Sequence, residues 1–87
     1  MKKSPRYRVV LTKRAIKDFE NIEKETRKRI AAKLQEYAEE PIKYAQKLIS
    51  QKIGSYRFRI GDYRVIFDID AKNIVVLRIG HRRSIYK

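Results

Sequence analysis

Tyr56-Arg57-Phe58-Arg59-Ile60-Gly61-Asp62-Tyr63-Arg64-Val65-Ile66-Phe67 is the stretch whose period decides the fold. Tyr56, Phe58 and Ile60 alternate with Arg57 and Arg59, the two-residue repeat of a strand with one apolar face. Gly61-Asp62 interrupts the alternation where a tight hairpin needs a residue tolerant of positive φ. A second strand is expected from Tyr63 to Ile69, and Asp70-Ala71-Lys72-Asn73 supplies a second turn. Ile74 to Ile79 makes a third strand, apolar at every position but Arg78, as expected of a central strand covered on both faces. The C-terminal half therefore reads as a three-strand antiparallel meander.

Upstream, the period changes. Arg6 to Leu11 starts as an alternation and ends as an apolar run, which suggests another strand. Thr12 stands where a helix N-cap is wanted, and Ala15, Ile16, Phe19 and Ile22 recur at helical spacing across Lys13 to Glu23. A second helix is expected from Glu25-Thr26, with Ile30, Ala31, Leu34, Tyr37 and Ala38 as its apolar stripe. It should stop before Pro41, because the residue ahead of a proline avoids helical geometry. The short loop between the helices favours an antiparallel hairpin. Between Ile42 and Ser55 the pattern is irregular, with Tyr44, Leu48 and Ile53 expected to tuck under the core from a loop or short helical turn. The expected fold class is α+β: a single domain over 1–87, with one sheet and both helices on one of its faces.

Composition narrows the function. The 87 residues carry 23 Lys and Arg against 10 Asp and Glu, a formal charge of +13 that draws polyanions. There is no cysteine, so neither disulfides nor thiolate metal sites are available. The basic Met1–Arg6 opening is followed by no signal-peptide core, and no run approaches the roughly 20 apolar residues of a membrane span. A cytoplasmic protein without membrane partners is the expectation. No phosphate-binding glycine loop, no histidine or cysteine pairs at metal spacing and no nucleophile elbow occur. Neither cofactor nor metal is expected.

What remains is a basic constellation. Arg57 and Arg59 leave one face of their strand, and Arg64 lies across the turn beside Arg59. Arg78, Arg82 and Arg83 extend the set, with His81 and Tyr86 beside them and Lys52 ahead of the first strand. Asp62, Asp68 and Asp70 are the only acids after residue 40, too few to pair so many cations. Clustered guanidinium groups repel one another, and a bridging anion relieves the repulsion. RNA is cut without metal when its own 2′-hydroxyl attacks the adjacent phosphate, provided a protein aligns the chain and neutralises the charge that develops. Arg57, Arg59, Arg64 and Arg82 suit that neutralisation, and Tyr86 suits base stacking or orientation. Arg78, Arg83 and Lys52 suit backbone binding.

The quoted block, together with the ending Val76-Leu77-Arg78-Ile79-Gly80-His81-Arg82-Arg83-Ser84-Ile85-Tyr86, resembles the RelE/ParE toxin superfamily, specifically its RelE-like branch. The likeness covers essentially the whole chain. It implies a type II toxin acting as a ribosome-dependent endoribonuclease that cuts messenger RNA in the A site. It also implies a cognate, acidic RelB-like antitoxin and a toxin–antitoxin hetero-oligomer. Under this resemblance Arg57 and Arg59 fall where a well-known relative has lysines, Arg64, Arg82 and Tyr86 match its arginines and closing tyrosine, and His81 fills a basic slot. Arginine is a poor base, so His81 becomes the expected proton-transfer group. The chain stops one residue after Tyr86, so the C-terminal helix of some relatives is not expected. Two other readings stand beside this one: a ParE-like inhibitor of DNA gyrase, and an inactive homologue that binds only RNA or antitoxin.

Overall fold

A computed structural model describes residues 6–49 and 52–86. The basic opening at 1–5, Ser50 and Gln51 of the irregular stretch, and Lys87 lie outside the described residues. The order is β1 (Arg8–Leu11), α1 (Lys13–Glu20), α2 (Lys24–Tyr37), α3 (Pro41–Tyr44), β2 (Gln46–Lys47), β3 (Tyr56–Ile60), β4 (Tyr63–Asp70) and β5 (Asn73–His81). The class is α+β, with helices packed on a mixed five-stranded sheet ordered β1-β5-β4-β3-β2. The meander β3-β4-β5 is antiparallel, and β1 joins β5 in parallel.

Thr12 caps α1 by accepting the Ala15 N–H on its hydroxyl, the role its position in the sequence suggested. The first helix ends at Glu20 instead of Glu23, because Asn21 and Ile22 turn back onto the carbonyls of Asp18 and Phe19. One continuous core joins Ala15, Ile30, Leu34 and Ala38 of the helical layer to Phe58, Val65, Phe67, Ile74 and Val76 of the sheet. Phe58 and Phe67 stack at 4.3 Å between centroids, and Tyr37 bridges Phe58 to Tyr44 of α3.

Three expectations are corrected. The irregular stretch contributes a two-residue edge strand, β2, paired with Tyr56 and Arg57. Tyr44 packs through its stack on Tyr37 and Leu48 is half-buried, but Ile53 stays 40% exposed and does not enter the core. The most enclosed strand is β4, where Arg64 through Phe67 are all buried, whereas β5 alternates between buried and half-buried positions.

The sheet face away from the helices is partly covered. Gly54 lies so close that a Cβ there would sit 2.5 Å from Ile66 Cγ2, and its φ of +155° suits glycine. Ile85 packs against Gly80 at the other end of that face, folded back by turns in which Ser84 and Ile85 donate to the His81 carbonyl. The patch around Arg57 and Arg59 is left between these two covers.

Candidate RNA-binding face

Register fixes which side chains meet. Arg59 stands directly opposite Arg64, and Arg64 directly opposite Gly80, so all three share the face away from the core. Arg57 leaves β3 on the same face, two residues from Arg59. Two arginines in direct cross-strand register repel each other. The strain is partly relieved because the buried Arg64 bends away, donating from Nη1 to the carbonyls of Gly61 and Tyr63 at 2.9 Å each. Burial, then Arg59, Arg57 and Arg82, pull Arg64 below the usual arginine value, and Tyr86 pulls the other way. A charge held against its neighbours in this way is relieved by an anion.

Gly80 allows Ile85 to settle on the sheet, which anchors the C-terminal turn and carries Tyr86 across to β3. There Arg57 donates from Nη1 to the Tyr86 hydroxyl at 2.6 Å, and its guanidinium lies 5.8 Å from that ring's centroid. From the other side Arg57 Nε donates to Gln46 Oε1 at 2.8 Å. Gln46, on two-residue β2, escaped the sequence reading, since two residues carry no period. The result is a Gln46–Arg57–Tyr86 chain on the sheet surface, with Arg59 and Arg64 beside it.

The remaining candidates are dispersed. Arg82 belongs to the electrostatic neighbourhood of Arg64, but its Nε also lies 3.7 Å from Asp62 in an exposed pair, and its N–H donates to the Asp62 carbonyl. Arg78 is not a free cation: its Nε donates to Asp18 Oδ2 at 2.8 Å, and the same oxygen accepts the Ile79 N–H at 3.0 Å. The expectation that only acids after residue 40 mattered failed here, because α1 brings Asp18 alongside β5 just beyond the end of β1. His81 pairs with Tyr63, which packs against the core, and meets it edge-on at 5.5 Å. Strand parity therefore turns His81 toward the helical side, away from Arg57, Arg59 and Arg64. Its Nδ1 accepts the Arg83 N–H at 3.2 Å. Arg83 and Lys52 are exposed.

A family model described as the ParE toxin of type II toxin–antitoxin systems matches residues 9–86. The chain belongs to the RelE/ParE toxin superfamily. Its relatives place this toxin in the RelE-like branch. Toxin RelE3 of Methanocaldococcus jannaschii is 31% identical over 83 residues, 91% of this chain and 94% of the relative. Toxin RelG of Mycobacterium tuberculosis is 33% identical over 66 residues, 68% and 76% of the two chains. Among solved structures, the toxin–antitoxin complex RelBE2 of Mycobacterium tuberculosis superposes with a TM-score of 0.79 at 25% identity, covering 87% of this chain and 98% of that one. The archaeal RelE–RelB complex of Pyrococcus horikoshii gives 0.72 at 29% identity, with 91% and 98% covered. This toxin is thus a type II toxin–antitoxin toxin of the RelE family.

Proposed function

We propose that this toxin is an endoribonuclease that cuts messenger RNA in the ribosomal A site and so halts translation in the cytoplasm. The observation that carries the reading is the cationic face itself: Arg57, Arg59 and Arg64 lie on one surface, Arg59 against Arg64, with Tyr86 hydrogen-bonded to Arg57. Such a face suits a phosphodiester passing through a pentacoordinate state with extra negative charge. In the proposed step the RNA 2′-oxygen bonds to the adjacent phosphorus, the bond from phosphorus to the 5′-oxygen breaks, and a 2′,3′-cyclic phosphate and a 5′-hydroxyl result. The 2′-hydroxyl gives up one proton and the departing oxygen gains one. The arginines hold the phosphate and its developing charge, while the Tyr86 ring offers a stacking surface for a base. Arg82 belongs with the cations around Arg64, and the exposed Arg83 and Lys52 are further candidates for holding the RNA backbone. Arg78 serves the fold through Asp18, and His81 faces the other side, so the proton transfer is not assigned to it.

The solved relatives are complexes of toxin with antitoxin, which supports an antitoxin partner for this chain as well. With +13 to neutralise, that antitoxin should carry an acidic segment. A second reading, a ParE-like inhibitor of DNA gyrase, stands beside it because the matching family model is described as the ParE toxin. Incubating the purified toxin with programmed ribosomes and, separately, with DNA gyrase separates the two. Cut messenger RNA with normal supercoiling is the expected result; inhibited supercoiling with intact message would overturn the proposal.

A further inference from the structure

Two arginines of the sheet are held at the same atom by acceptors of different charge. Arg78 donates from Nε to the Asp18 carboxylate at 2.8 Å, which neutralises it within the fold. Arg57 donates from Nε to the Gln46 carboxamide oxygen, also at 2.8 Å. A carboxamide accepts the hydrogen bond but carries no charge, so Arg57 keeps its whole cation for an anion.

The backbone carries Gln46 to that place. Helix α3 is docked by the stack of Tyr44 on Tyr37, and Ala45 closes it by donating to the Pro41 carbonyl at 2.9 Å. Ala45 packs against the core, so alternation turns Gln46 outward. Gln46 then stands directly opposite Arg57 in antiparallel register, and the Leu48 N–H extends the pairing to the Ser55 carbonyl. Directly opposed residues share a sheet face and lie close enough for their side chains to meet. A strand of two residues adds little to the sheet, yet it delivers one neutral acceptor to one arginine.

An unanchored arginine samples many rotamers, and each must be given up when its guanidinium takes a single pose. Here Gln46 fixes Nε and Tyr86 fixes Nη1, so two corners of the planar group are set and its remaining N–H groups are left for a ligand. A donor already in place when charge develops needs no rearrangement at that moment. We infer that Gln46 is the positioning residue of the arginine face, setting the Arg57 guanidinium for a phosphate group without neutralising it. The inference rests on the nuclease reading of that face. A carboxylate at 46 would hold Arg57 equally well but repel the phosphate, and an apolar side chain would not hold it.

The test compares Gln46→Met, which keeps the chain length but loses the strong acceptor, with Gln46→Glu, which keeps the acceptor and adds a charge. Position 46 is exposed, and thermal unfolding confirms that both variants stay folded. In ¹⁵N NMR of the full chain, the Arg57 Nε–H should exchange slowly with water in the wild type and in Gln46→Glu, and roughly tenfold faster in Gln46→Met. Titrated inorganic phosphate should shift that signal in the wild type and bind more weakly to Gln46→Glu. On programmed ribosomes, Gln46→Met should lower the limiting single-turnover rate about tenfold and leave the half-saturating concentration within about twofold. Gln46→Glu should lose at least as much rate although its Arg57 stays ordered. In an Arg57→Ala background, Gln46→Met should cause no further loss. Equal protection of the Arg57 signal in Gln46→Met, an undiminished effect of that change without Arg57, or wild-type phosphate binding and rate in Gln46→Glu would each overturn the proposal. A wild-type toxin that cuts no message would overturn the nuclease reading instead, and the exchange and phosphate measurements then decide the role of Gln46 on their own.

Discussion

Arg57 is the residue on which the RNA face turns, since it links Gln46 to Tyr86 while its guanidinium stays on the surface. Arg57→Ala should lower single-turnover cleavage on programmed ribosomes about 10²–10³-fold, the usual loss when one charge-stabilising donor is removed. Tyr86→Phe keeps the ring and loses only the hydroxyl that accepts from Arg57, so its loss should be smaller than that of Tyr86→Ala in the same assay. His81→Gln should change the rate by no more than a few-fold, because the imidazole lies on the helical side against Tyr63. A fall as deep as that of Arg57→Ala would show that the C-terminal turn rearranges on the ribosome. The sequence indicated Arg57, Arg59 and Arg64 because alternation and a two-residue turn fix their shared face without any tertiary information. It misled on His81 because parity had to be carried across three strands to show that the imidazole leaves the sheet on the side opposite Arg57, Arg59 and Arg64.

The elements themselves were legible where their period was long. Helices α1 and α2 and the meander follow from apolar spacing, whereas β2 is too short to show a period and the parallel β1–β5 pairing has no local signal. Asp18 was equally hidden: its carboxylate completes the edge of β5 where β1 has stopped, a contact across 60 and 61 residues of chain. Asp18→Ala should therefore destabilise the fold by about 1–3 kcal/mol, since it leaves the Ile79 N–H without an acceptor and Arg78 without its partner; denaturant unfolding measures this. Gly54→Ala should cost a comparable 1–3 kcal/mol or so, from the clash with Ile66 and the positive φ together. An unchanged midpoint would mean, for Asp18→Ala, that the β5 edge does not depend on that carboxylate and, for Gly54→Ala, that the cover over the sheet face is looser than described.

Over the whole molecule, charge and shape divide the work. The helical layer and one sheet face bury the core, while the other face gathers cations that the chain's own acids only partly pair. If Arg57, Arg59, Arg64 and Arg82 each meet a phosphate, binding to a single-stranded RNA should fall with salt at a log–log slope of roughly −3, from about 0.7 per contact. A slope shallower than about −1 would mean that the face does not grip a backbone. The most direct test of the central claim is cleavage of two messages on programmed ribosomes, identical but for one 2′-deoxy substitution at the scissile nucleotide. The account predicts a cut with a 2′,3′-cyclic phosphate end in the ribose message and none in the deoxy one. Equal cutting of both, or no cutting of either, would contradict it.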